Sequence, residues 1–211
     1  PEGIVSTFAA RTLEGCAGRR IVAAQDTTEV NFSGRSASRR GLGPGGDGSS
    51  PGFFIHPVVA IDAEDEAVLG VVDAQIWSRD EGRVADRHGR AIEDKESQRW
   101  LAGTAAAGRL ASAQEVVVVA DREGDIYSHF ARRPAGVHVL VRSRHDRKLE
   151  NGSLLSEACA AWPEQATEVQ VPPRGPGDKG RTARVMRRYG RGRIAAPDGP
   201  AGPLGDRTAR G

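Results

Sequence analysis

Long apolar runs are missing from this 211-residue sequence, and no stretch approaches the ~20 apolar residues that a membrane-spanning helix needs. Cysteine is scarce. Cys16 and Cys159 stand far apart and match no metal or redox spacing, which excludes a disulfide scaffold. Apolar residues, glycine not counted, make up 38% and aromatics 5%. No secretory leader is recognisable, and the first residue is Pro1 rather than methionine, so a natural start upstream is expected. Abundance lies elsewhere, in 27 glycines and 12 prolines that dilute any periodic pattern. The length suits one full domain, or one and a half smaller ones.

Net charge is only +2, but it is unevenly spread. Residues 1–130 carry 14 Lys/Arg against 20 Asp/Glu, and residues 131–211 carry 16 against 8. An acidic part beside a basic part fits a metal site next to a polyanion track. Of the 30 cationic residues 27 are arginine, a bias that suits phosphate recognition but also follows from a GC-rich genome.

Residues 21–26 (IVAAQD) read as a buried strand ending at Asp26. Residues 33–52 have no apolar period and read as a loop. Residues 53–62 (FFIHPVVAID) and 68–77 (VLGVVDAQIW) are strands joined by an acidic turn, which predicts an antiparallel hairpin. Pro57 inside the first of them points to an edge or a bulge. Residues 79–90 read as a loop, and 93–112 as a helix with apolar Trp100, Leu101, Ala105 and Leu110. Glu93, Asp94 and Glu96 would suit its N-terminus, with Lys95 in solvent.

Residues 116–121 (VVVVAD) form the clearest strand, and four successive valines predict burial on both faces. A short helix over 125–133, a strand over 137–142, and a helix over 153–162 with Ser153 as N-cap follow. Strands over 167–171 and 182–186 flank a glycine-rich turn, and a disordered tail is expected from 195 to 211.

Three strands, two of them a hairpin, then helix, strand, helix, strand is the order of a ribonuclease H-like α/β core. It is a mixed sheet with flanking helices. In that order the first and fourth strands are parallel neighbours. Asp26 and Asp121 would then face each other at one end of the sheet, where open α/β sheets place ligands. Two carboxylates this close repel unless a cation lies between them, so a divalent metal is the natural guest. Magnesium accepts few protein carboxylates and completes its shell with water and substrate phosphate. The geometric expectation is that both carboxylates lie on adjacent strands, roughly 4–7 Å apart.

Four motifs occur in order: QDTT at 25–28, DKESQRWL at 94–101, DREGDI at 121–126 and VRSRH at 141–145. Together they resemble the DDE transposases of the insertion sequence 4 family, the group that includes the transposase of transposon Tn-five. The likeness covers roughly residues 20–190. It implies metal-dependent DNA strand cleavage and strand transfer, with Asp26 and Asp121 as catalytic and metal-binding acids and Mg2+ or Mn2+ as cofactor. It assigns Arg142, Arg144, Arg147 and Lys148 to DNA contact. Arg122 and Glu123 are site candidates by proximity. The implied partners are transposon ends and target DNA, with no membrane and with a homodimer in the full-length family. The implied compartment is the bacterial cytoplasm, with the nucleoid.

The departures are equally specific. The family's third acid, a glutamate in a Tyr-Arg-Glu-Lys signature, has no counterpart, because neither Tyr127 nor Tyr189 is followed by the required residues. The expected organisation is therefore an upstream stub at 1–20, the front of the core at 21–148, a helix and the start of a β-rich insertion at 149–194, and a tail. Such a truncated chain would be inactive, or would act only as a non-specific DNA-binding protein. A small nuclease with its own acids would need Asp125 or Glu157 to complete the site. A helix cap for Asp125 and an exposed helix position for Glu157 are the preferred readings. His56 and His138 read as satisfied strand residues, and Trp77, Trp100 and Trp162 as packing. Loss of the third acid's helix would leave apolar surface on one sheet face, at Phe53, Ile55, Val117 or Val119.

Overall fold

The computed structural model describes residues 2–32, 41–46, 50–79 and 98–197. The chain forms two compact units, Pro1–Arg144 and His145–Gly211. Segments expected as loops at 33–40, 47–49 and 80–90, the acidic helix start at 93–97 and the tail beyond 197 lie outside the described residues.

The first unit is a mixed α/β structure. Helix α1 (Glu2–Gly15) precedes β1 (Arg20–Gln25), β2 (Thr28–Asn31), β3 (Gly43–Pro44), β4 (Pro51–Asp62) and β5 (Val68–Trp77). Helix α2 (Gln98–Ala107), β6 (Glu115–Ala120), a 3-10 turn (Arg122–Gly124), α3 (Tyr127–Ala131) and β7 (Val137–Val141) follow. Strands β2, β4, β1, β6 and β7 lie in that order, with β3 and β5 also on β4. Strand β4 is antiparallel to β1 and β5, whereas β1, β6 and β7 are mutually parallel.

The hairpin expected at 53–77 is present. Asp62 accepts hydrogen bonds from the Arg19 guanidinium and the Glu64 amide, which anchors its turn. Pro57, however, is not on an edge strand: β4 is paired on both sides. Strands β1 and β2 run along one side of β4 in a single register, with Gln25 opposite Val58 and Thr28 opposite Ile55. That register sets Pro57 opposite Asp26, where the ladder is interrupted. A residue with no N–H can give neither neighbour a bond there. On the other side, the β4–β5 register shifts just beyond it, between Val58 and Val59.

Burial alternates along the central strands. Ile21, Ala23, Val58, Ala60, Val116 and Val118 are buried together with Cys16, Val72, Ala107 and Leu110. Helix α2 covers this face, packing on β1, β4, β5 and β6. The opposite face is only partly covered. Val22, Ala24, Phe53, Ile55, Val59, Val117 and Val119 are each partly exposed. The four valines of β6 are therefore not buried on both faces. Short apolar runs do not reveal periodicity, so the pattern became legible only from the packing.

The buried face of α2 also differs from the one that its apolar spacing predicts. Its buried face is Trp100, Gly103, Thr104 and Ala107, while Ala105 is exposed. Small residues here let the helix approach the sheet closely: a Cβ on Gly103 would lie 2.2 Å from Gln25 Oε1. Residues 1–20, expected as a stub, contribute α1, which packs on β5.

The second unit holds α4 (Leu155–Ala161) and an antiparallel ribbon of β8 (Glu164–Val171) and β9 (Arg181–Arg188). Ser153 is not the N-cap of α4; its hydroxyl bonds Asn151. Instead Asp146 accepts from the Ser156 amide and hydroxyl, and Glu157 accepts from the Leu154 amide. The start of the expected tail is tied back, because the Ala195 amide donates to the Lys148 carbonyl. No helix among the described residues is long and apolar enough to cross a membrane.

One-sided closure of the sheet gives a direct test. Val118→Ala should cost about 2–3 kcal/mol, the transfer of two methyl groups plus a cavity. Val117→Ala, one residue away on the other face, should cost less than about 1 kcal/mol. Urea denaturation of both variants measures the difference. Equal losses would mean that both faces are closed.

Candidate functional site

The parallel register of β1 and β6 sets Ala24 opposite Val119. Asp26 and Asp121 each follow that pair by two residues, so they stand at the same level on strands ~4.8 Å apart. Strand alternation, carried one residue beyond each strand, puts both on the partly covered face. Both are exposed. Asp26 Oδ1 accepts from the Thr27 amide at 2.7 Å. Asp121 caps the 3-10 turn, its Oδ1 accepting from the Glu123 amide at 2.7 Å. Each Oδ2 is without a hydrogen bond among the described residues. Neither acid is in an ion pair there.

Two hard oxygen donors, uncommitted and unneutralised, fit a magnesium or manganese ion that keeps several waters. No group of three or more His, Cys, Asp or Glu suited to a metal occurs among the described residues. Asp125 is not a third ligand of this kind. It is 5% exposed, and its Oδ2 accepts from the Arg144 amide at 2.7 Å. Nor does it cap α3, whose N-cap is Ile126.

That bond has a consequence for the basic residues. The Arg144 amide is held by Asp125, four residues after Asp121, and the Arg142 amide donates to the Ala120 carbonyl at 3.3 Å. Arg142 and Arg144, both exposed, are thus anchored through their backbone to the segment that carries Asp121. Arg122 opens the 3-10 turn and is exposed. Arg147 and Lys148 belong to the second unit, where both line an open pocket of about 620 Å³ with His145 and Glu150. Basic residues not singled out in the sequence occur on β9, where Arg181, Arg184, Arg187 and Arg188 are exposed. Glu157, also in the second unit, is the α4 residue that holds the Leu154 amide.

Behind Asp26 and Asp121 lies a buried polar chain that the motifs did not reveal. Thr27 Oγ1 meets His56 Nδ1 at 2.8 Å, and His56 Nε2 meets Gln25 Oε1 at 3.2 Å. Gln25 Nε2 reaches Thr104 Oγ1 at 3.0 Å and His129 Nε2 directly at 3.3 Å, and Thr104 Oγ1 reaches His129 Nε2 at 2.6 Å. His129 Nδ1 meets the Gly124 carbonyl at 2.9 Å. A carbonyl only accepts, so His129 carries its proton on Nδ1 and takes the Thr104 hydroxyl on Nε2. The Gln25 carbonyl likewise requires the His56 proton on Nε2, leaving Nδ1 to accept from Thr27. Every bond then runs the same way, from Thr27 to Gly124, with both imidazoles neutral.

Burial supplies the reason that they stay neutral. Desolvation lowers His56 from 6.5 to about 4, against the opposing pull of Asp26; Arg99 and His129 push the same way as burial. Burial also lowers His129, partly offset by its bond to Gly124. Trp100 closes the chamber, edge-on to His56 with centroids 4.8 Å apart. Gly124 is needed at its wall, since a Cβ there would lie 2.7 Å from Ala120 Cβ and 3.1 Å from Trp100. His56 is thus a satisfied core residue as expected, while His138 is an exposed residue of β7. The only sequence signal for this chain was Gln25 and Thr27 on either side of Asp26; Thr104 and His129 carry none.

No family model matches the sequence.

The chain makes folding sensitive to mild acid. As pH falls below 6.5 the unfolded state takes up a proton at His56, while the folded state does not until about 4. Stability is full above that window and falls through it, by about 3 kcal/mol from His56 alone, with His129 adding in the same direction. The bonded carboxylates Asp62 and Asp146, held below their usual 3.8, act only at lower pH. Urea unfolding free energies between pH 7 and pH 4.5 measure this, and a flat profile would refute it.

Proposed function

We propose that this chain is a core segment of a DDE-type transposase with a ribonuclease H-like sheet, and that it carries two of the three acids of that chemistry. The observation that carries the reading is the parallel β1–β6 register, which brings the aspartates of QDTT and DREGDI to one level. The order β5, β4, β1, β6, β7, with only β4 reversed, supports the same reading.

In this reading Asp26 and Asp121 hold Mg2+ or Mn2+, each through the oxygen left open by its amide bond. The bound ion would supply a polarised water and charge neutralisation at a phosphate. Arg142 and Arg144 hold the DNA backbone beside the acids, and Arg122 adds a further cation. Arg147 and Lys148 add phosphate contacts from the second unit. The sequence has no Tyr-Arg-Glu-Lys signature, so strand cleavage by these residues alone is expected to be slow: losing one ligand removes both charge and geometry.

A second reading, sequence-indifferent DNA binding without catalysis, is favoured by the arginine-rich ribbon. Four exposed arginines of β9 stand on a two-stranded element, a shape that a DNA major groove admits.

Metal and DNA binding to the full chain distinguish these readings. Duplex affinity should fall steeply with salt, each phosphate contact contributing about 0.9 to the log–log slope. Replacing Arg142, Arg144, Arg147 and Lys148 by alanine should lower that slope by up to about 3–4. Asp26→Asn or Asp121→Asn should abolish Mn2+ uptake without weakening DNA binding. Absence of both Mn2+ uptake and salt-dependent DNA binding would sink the proposal. Rapid Mn2+-dependent cleavage, abolished by Asp26→Asn, would overturn the two-acid reading and require a third acid within the chain.

A further inference from the structure

We infer that the buried hydrogen-bond chain from Thr27 to Gly124 is the positioning device of the Asp26–Asp121 pair. The inference rests on the proposed role of those two acids, and concerns groups that touch neither metal nor DNA.

The two acids are weakly held by their own contacts. Each is exposed and takes one bond from a nearby amide. At Asp26 the ladder to β4 is interrupted opposite Pro57, so sheet pairing does not fix the peptide there. The buried chain compensates at that point. It grips Gln25 and Thr27, the residues on either side of Asp26, and ends on Gly124, the last residue of the turn that Asp121 caps. His56 from β4, Thr104 from α2 and His129 from α3 supply the links. Four separate elements therefore have to be in place before the two acidic segments are joined.

Packing alone does not call for these residue types. Four side chains of the chain, Gln25, His56, Thr104 and His129, are at most 4% exposed, and buried polar groups are costly unless all are satisfied. An apolar filling of the same shape can be nearly as stable or more so. What polar groups add is directionality: each bond fixes a distance and an angle, and here the sequence of bonds is satisfied by one pair of tautomers. A metal held by two carboxylates depends on their separation. Residues that orient ligands typically change metal affinity by 10–100-fold. Gln25, Thr104 and His129 are accordingly positioning residues, not ligands.

The test compares three variants of the full chain. Thr104→Val keeps the shape and removes the hydroxyl, Thr104→Ser restores it, and Val72→Ala opens the apolar core elsewhere on β5. Mn2+ affinity is read by electron paramagnetic resonance, thermal stability by melting, and amide exchange at Thr27 and Glu123 by NMR. Thr104→Val should weaken Mn2+ binding about tenfold and speed exchange at both amides. Thr104→Ser should recover both properties. Val72→Ala should lower the melting temperature yet leave affinity and both amides as in the parent.

Affinity that tracks melting temperature across all three variants would overturn the inference, leaving a merely structural role. If the parent takes up no Mn2+, the metal reading falls, and the amides decide the inference alone. Faster exchange at both amides in Thr104→Val only would sustain it, and unchanged exchange would overturn it. Should Thr104→Val not fold, Gln25→Met, which removes the central link, is read in the same way. Nitrogen NMR of the parent provides a further check: His56 should be protonated on Nε2 and His129 on Nδ1, and matching tautomers would break the chain.

Discussion

Strands β1 and β6 lie far apart in the chain, yet they run side by side in the same direction with Ala24 against Val119. Much of the first unit follows from this pairing. A parallel neighbour requires a long crossover, and here the crossover contains the β4–β5 hairpin and α2. It also brings both strands to their carboxyl ends at one edge of the sheet. A slip of one residue would put Asp26 and Asp121 on opposite faces. The buried alternation of Ile21, Ala23, Val116 and Val118 holds the register, because any slip would expose that apolar set.

The closed face carries two burdens that conflict. It is the apolar core, and it also houses Gln25, His56, Thr104 and His129. These uses are separated along the strands: valines, alanines and Ile21 occupy most of their length, and the polar chain occupies the end near the acids. The small residues Gly103 and Gly124 make the second use possible, since helix and turn must come close for the six bonds of the chain to close. The cost is sensitivity to acid, because both imidazoles must stay neutral. On the opposite face Phe53, Ile55, Val117 and Val119 are partly exposed.

The second unit has a different character. Almost every residue of β8 and β9 is exposed, and the ribbon brings Glu164 against Arg188 and Glu168 against Arg184. Two-stranded ribbons bury little and are marginal by themselves. Their surface is set by charge rather than packing, and here β9 gives it an arginine-rich strand.

The sequence by itself determined the strands other than β2 and β3, the hairpin, and the positions of Asp26 and Asp121 at strand ends, because local apolar runs and their punctuation encode these directly. It also made the basic segment after β7 visible as charge. It misplaced whatever depends on partners distant in the chain. Four successive valines could not disclose that one sheet face is closed and the other is not. Pro57 pointed to an edge or a bulge: the β4–β5 register does shift beside it, but nothing local tells that an interrupted strand, β1 then β2, can absorb its missing donor in place of an edge. Ser153 resembled a cap, while Asp146 supplies the bond from outside the helix. The buried chain was invisible for the same reason: its residues come from four elements, and a hydrogen bond between them leaves no periodicity, spacing or composition. Only the tertiary structure could join Thr104 and His129 to Gln25, because burial and direction, the two properties that define the chain, exist only once the elements have packed.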